Sequence, residues 1–212
     1  MTVRKYLQAG LLLVVLAMTL SRFIPTELTQ MLSGLFQTEK KKMVTLKLDR
    51  IGKIKIGMTV DEAGNVLKHS FYRYPGYDGD ECYYVGLQKP DAKGQIDPNK
   101  DKFSLMVSKN KVVRYEVDHG RFWTEAHAQI GMTKEAVLSL YGGALGALKV
   151  EPHKYTEGNY LVLTSDDPAL KNYALVFEVE KQTDPKTKVA RYVVKQIRAG
   201  LRPFAEYVEG CS

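Results

Sequence analysis

The period of hydrophobic and polar positions changes several times along the chain. Gly10 to Leu20 (GLLLVVLAMTL) is a continuous apolar run. After Pro25, apolar residues fall at Leu28, Met31, Leu32, Leu35 and Phe36, which form one stripe of an amphipathic helix. Lys40, Lys41 and Lys42 follow, with Lys47, Arg50, Lys53 and Lys55 close behind. Such a run reads as a solvated basic linker, with lipid-headgroup binding as the alternative. Two short helical stripes come later. Ala63, Val66 and Leu67 follow Thr59 and Glu62, which are spaced as a capping box. Val137, Leu140 and Tyr141 follow Thr133, with Met132 and Val137 at staple positions and Gly142-Gly143 as a stop. Strand-like runs are predicted at 82–87, 103–107, 112–117, 160–164, 173–180 and 189–198.

Several of these blocks recur. Ile56-Gly57-Met58-Thr59 returns as Ile130-Gly131-Met132-Thr133, and KVVRYEV at 111–117 returns as KVARYVV at 188–194. Between them FSLMV at 103–107 matches YALVF at 173–177. Recurrence in a constant order predicts a duplicated unit. The expected class is therefore α+β: a tandem repeat of a helical segment followed by a three-stranded antiparallel meander, with the helices packed on one face of the sheet. The expected boundaries are a signal peptide or signal anchor at 1–24, an amphipathic helix and basic linker at 25–46, repeat 1 at 47–123, repeat 2 at 124–200, and a tail at 201–212.

The paired IGMT entries into capped helices, followed by aromatic strands, resemble the β-lactamase-inhibitory-protein-like group. That group includes tandem-repeat β-lactamase inhibitors and the SmpA/OmlA outer-membrane lipoproteins of the β-barrel assembly machinery. The resemblance spans Lys47 to Arg198, and its most specific parts are Ile56–Glu62 and Ile130–Glu135. It implies a non-enzymatic protein that presents a sheet face and loops to a protein partner. It further implies either an envelope-assembly or scaffold role or, alternatively, inhibition of an extracytoplasmic hydrolase.

Arg4 and Lys5 precede the apolar run, the pattern of a secretory signal, with Ala17 and Ser21 as candidate cleavage positions. The run is shorter than the roughly 20 residues of a comfortable transmembrane helix. Residues 7–24 are thus either removed or kept as a membrane tether. No cysteine occurs there, so a lipidated-cysteine anchor is excluded. The expected location is the periplasm, or a membrane anchor with the body outside the cytoplasm. Cys82 and Cys211 are the two cysteines, and in an oxidising compartment they are expected to pair. That bond would close a loop of about 130 residues and pin the tail to the first half of the body.

Composition then narrows the chemistry. The 212 residues carry 31 basic and 24 acidic side chains, a net charge of +7, and Arg4, Lys5 and Arg22 supply three of those charges. The remaining basicity is too mild and dispersed to predict nucleic-acid binding. His69, His119, His127 and His153 show no metal-ligand spacing, and the Asp78–Glu81 cluster lacks the spaced ligands of a calcium loop. No nucleophile or phosphate-loop motif is present, so no cofactor, metal or catalytic residue is predicted. Surface recognition remains. Tyr72, Tyr74 and Tyr77 occupy a loop-like stretch with Pro75 and Gly76, and Trp123 lies near a strand end. In the KVxRY blocks, alternation turns Tyr115, Val117, Tyr192 and Val194 toward the helices. It leaves Arg114, Glu116, Arg191 and Lys195 on an open face, with Arg114 and Arg191 as equivalent cations suited to an acidic partner.

Overall fold

β-Strands dominate because the apolar residues fall in short runs such as CYYVG, YLVLT and YALVFEV, buried on both faces, and among the described residues two segments carry a capped helical stripe. The computed structural model describes residues 43–77, 79, 81–97, 103–142 and 148–211. The expected signal or anchor segment, the tether at 7–24, the amphipathic stripe and the triple lysine lie outside these residues.

The chain begins with three short strands, β1 (Val44–Lys47), β2 (Arg50–Ile51) and β3 (Ile54–Lys55). Helix α1 (Val60–Leu67) follows, then β4 (Tyr72–Arg73), β5 (Cys82–Gly86), β6 (Phe103–Ser108), β7 (Lys111–Val117) and β8 (Phe122–Thr124). Helix α2 (Lys134–Leu140) precedes β9 (Lys149–Pro152), β10 (Gly158–Thr164), β11 (Tyr173–Thr183) and β12 (Ala190–Leu201). A 3-10 turn at Phe204–Glu206 opens the tail.

Two sheets result. The smaller has the order β3-β2-β1-β8, with β1 and β8 parallel. The larger is an eight-stranded antiparallel sheet in the order β4-β5-β6-β7-β12-β11-β10-β9. The expected α+β tandem of helix plus three-stranded meander is thereby corrected, for the protein is mostly β. Among the described residues the two helices have eight and seven residues, too short to form a covering layer by themselves. The expected meanders instead gain the edge strands β4 and β9 and fuse through β7 and β12 into one sheet. At that junction Gly200 faces Arg114, and a Cβ there would lie 2.1 Å from the Val113 carbonyl oxygen, so only glycine fits this approach.

One face of the large sheet buries Leu105, Tyr115, Leu161, Phe177 and Ile197 against Ala63 of α1, Val137 of α2 and Leu46 of the small sheet. Thr59 caps α1 as expected: its hydroxyl accepts from the Glu62 amide at 3.1 Å, and Glu62 accepts from the Thr59 amide at 2.7 Å. The two IGMT segments also make matching contacts. Gly57 donates to Val112 and Val112 to Met58, while Gly131 donates to Val194 and Val194 to Met132.

The opposite face is covered as well. Leu201, Phe204, Val208 and Cys211 pack there over Tyr84, Met106, Val113, Val162 and Val176. The Cys82–Cys211 disulfide holds the tail, with Cα atoms 5.4 Å apart across a sequence separation of 129. Gly210, at φ +71°, lets the tail backbone pass Tyr84, whose hydroxyl would lie 2.6 Å from an added Cβ.

Candidate protein-binding surfaces

A β-bulge in each central strand decides where the charged residues of β7 and β12 fall. Met106 pairs with Arg114 and Val107 with Val112, so Val113 is the extra residue. Glu178 pairs with Gln196 and Val179 with Val194, so Lys195 is the extra residue. Each bulge puts two consecutive residues on the side away from the helices and shifts the alternation by one. The residue just past the bulge is Arg114 in β7 and Gln196 in β12. Arg114 and Arg191 therefore do not occupy equivalent places, and the expected pair of free cations is not formed.

Arg114 is 3% exposed. Its guanidinium donates to the Phe204 carbonyl at 2.8 Å and the Tyr207 carbonyl at 2.6 Å, and it also bonds Glu116 and the Tyr84 hydroxyl. Arg198, 2% exposed, repeats this role in β12, donating to the Ala205 carbonyl at 3.0 Å and to Glu178 at 2.7 Å. Two buried arginines thus hold the 3-10 turn by its carbonyls, each balanced by a glutamate. The face expected to be open is the seat of the tail.

His153 completes that layer. Its Nδ1 accepts from the Tyr155 and Thr156 amides, both at 3.1 Å, and its ring stacks on Tyr160 at 4.5 Å. An Nδ1 that accepts carries no proton, so the neutral ring holds its proton on Nε2 and donates to Glu178 at 3.0 Å. His153, Glu178 and Glu180 lie close enough to hold a metal ion. With Nε2 committed as a donor and Glu178 bonded to Arg198, however, the donor set suits a hydrogen-bonded cluster rather than metal ligation.

Beside the tail's seat lies a cleft of about 410 Å³. Tyr74, Pro75, Tyr77, Ile96 and Phe103 form its apolar walls, and Glu116 and Gln196 are among its polar lining. The Tyr77 ring sits 5.4 Å from that of Tyr84, and the Tyr84 hydroxyl donates to Glu116 at 2.7 Å. Gln196 donates to the other Glu116 oxygen at 3.1 Å. Burial pushes the Tyr77 phenol upward, the nearby Glu116 charge adds to the rise, and Arg114 opposes it. Burial likewise raises Tyr84, reinforced by Glu116. Both phenols stay neutral at physiological pH, and Tyr84 donates its proton to Glu116. Both oxygens of Glu116 accept hydrogen bonds, so its carboxylate orders the cleft floor.

The remaining sequence candidates are dispersed. Tyr72 stands in β4 opposite Gly86. Trp123 belongs to the small sheet, donating to the Thr45 hydroxyl at 3.3 Å with its ring 4.8 Å from that of His127. Arg191 is exposed at the far end of β12, and Lys195 is partly buried at the bulge. Of the eight candidates, the cleft gathers Tyr74, Tyr77 and Glu116. Sequence reading missed Gln196 and Arg198. Arg198 resembled the polar end of a strand, whereas β12 runs on to Leu201.

No family model and no curated protein matches the chain. The uncharacterized protein YfeY from Escherichia coli has a crystal structure similar to this one, with a TM-score of 0.44 and 11% sequence identity. That similarity covers 76% of this chain and 100% of that one.

Proposed function

We propose that this protein is an exported envelope component that acts by binding another protein and not by catalysis. The observation that carries this reading is the tyrosine cleft. Aromatic walls over a hydrogen-bonded polar floor offer large contact area on residues already ordered, the character of an interface anchor site. Export is supported by the N-terminal basic and apolar pattern together with the Cys82–Cys211 disulfide, a bond that persists in oxidising compartments. An assembly or scaffold role, as the β-lactamase-inhibitory-protein-like and SmpA/OmlA resemblance implies, is the favoured form of the proposal.

Replacing Tyr77 with a photo-crosslinking amino acid, in cells that make the protein, tests this. The expected result is a single adduct with an envelope protein, lost when Tyr74→Ala is added. An adduct with a soluble hydrolase would replace the scaffold role by inhibition. No adduct from exported, oxidised protein would overturn the cleft as a binding site.

A further inference from the structure

We infer that the hairpin arm formed by the ends of β11 and β12 is a docking site for an acidic segment of the partner protein, with Arg191 as its carboxylate-binding residue. This inference deepens the protein-binding reading and rests on it.

The arm outlasts its neighbours. β10 pairs with β11 only as far as Glu180, and β7 pairs with β12 only from Ile197 to Gly200. Lys181, whose amide also donates to the Glu157 carbonyl at 3.1 Å, pairs with Tyr192, while Gln182 and Thr183 pair with Arg191 and Ala190, and every residue from Lys181 to Arg191 is exposed. The arm is nonetheless ordered. Asp184 accepts from the Lys186 and Thr187 amides, both at 2.8 Å, and its own amide and carbonyl bond Val189 and Lys188.

Its charge is unbalanced. Lys181 is paired with Glu157 at 2.6 Å. Asp184, the acid of the loop, bonds the loop amides and lies close enough to Arg191 to feel its charge, which leaves one acid against Lys186, Lys188, Arg191 and Lys195. Among the described residues, no salt bridge involves Lys186, Lys188, Arg191 or Lys195. Lys195 reaches Gln182 at 3.2 Å, and Gln182 stands opposite Arg191, so these two cations meet on one face. A recess of about 310 Å³ adjoins Arg191, lined by Pro185, Val189 and Val193 together with the polar Gln182, Asp184 and Thr187. A planar guanidinium beside an apolar wall fits a carboxylate side chain with an apolar neighbour. The loop tip from Thr183 to Thr187 has no large apolar side chain to enter a bilayer, which favours a protein segment over a lipid surface.

The probe is a fluorescent six-residue peptide alternating glutamate and leucine, added to the full oxidised protein. Its glutamine counterpart and phosphatidylglycerol vesicles serve as comparisons. The expected result is saturable binding of the glutamate peptide. Binding should weaken about tenfold or more with Arg191→Glu and Lys188→Glu together, less with Arg191→Lys, and further as salt rises. Equal binding of the glutamine peptide, no effect of charge reversal, or charge-sensitive binding to vesicles but not to peptide would each overturn the inference. A second crosslinking probe at Thr187 separates this inference from the parent reading. Capture from Tyr77 but not Thr187 overturns the arm alone, and capture from neither overturns both.

Discussion

Arg114 and Arg198 on one side, and Arg191 on the other, belong to the same two long strands, yet their surroundings differ in kind. The first two are enclosed beneath the tail, each against a glutamate and each donating to carbonyls of the 3-10 turn. Arg191 stands in solvent on an arm whose acidic groups are already engaged. An arginine under a chain segment acts as a structural post, because its removal strands a partly buried carboxylate. An arginine on an ordered, unneutralised arm holds little of the fold together and is free to recognise something else.

The sharpest way to break this comparison is Arg198→Ala. It leaves Glu178 without its charge partner and the Ala205 carbonyl without its donor, and should cost about 3–5 kcal/mol in urea unfolding. A loss below about 1 kcal/mol would mean that the tail does not depend on this post. Removing the disulfide with Cys82→Ala and Cys211→Ala should cost about 2–4 kcal/mol and lower the thermal midpoint. The tail carbonyls would keep their arginine donors, so hydrogen exchange should report a loosened tail on an otherwise protected sheet.

Acidification should loosen the arm's loop. The Thr187 and Lys186 amides hold the Asp184 carboxyl below its ordinary value of 3.8, and the Arg191 charge adds to this. A depressed pKa means the loop is ordered above the ordinary aspartate range and loosens as pH falls through the lowered value. Amide resonances of Lys186 and Thr187 should therefore stay sharp at pH 5 and exchange-broaden only once the pH has fallen below the ordinary aspartate value. Broadening at pH 5 would show that Asp184 does not tie the loop. The smallest effect belongs to Arg191→Ala, which should change global stability by less than about 0.5 kcal/mol, because no bonded partner is lost. A larger change would mark Arg191 as a structural residue and undo the contrast.

Much of the local architecture is legible in the sequence. Thr59 and Glu62 announce the start of α1, and Thr133 that of α2. Alternation around Phe103–Ser108 and Lys111–Val117 marks two central strands. Leu140, read as part of the buried stripe, is 37% exposed, because α2 is short and Val137 and Tyr141 supply its inward contacts. The small sheet went unread, since strands of two to four residues such as β2 and β3 have no periodicity to detect. In the cleft, Tyr74 and Tyr77 were visible as a tyrosine-rich loop. Gln196 was not, because it joins them only through the β7–β12 pairing.

The sequence by itself determined what is settled within a few residues: the helix caps, the central strands, and the two cysteines available to pair. Side-chain alternation and capping are short-range effects, so the residues that cause them lie next to one another in the chain. Only the tertiary structure decided the eight-stranded sheet, the burial of Arg114 and Arg198, and the freedom of Arg191. Each of these depends on long-range pairing, on one extra residue at each bulge, and on where the tail comes to rest. A bulge reverses a strand's faces without a distinct sequence signal, and a covering segment turns a solvent-facing cation into a buried one.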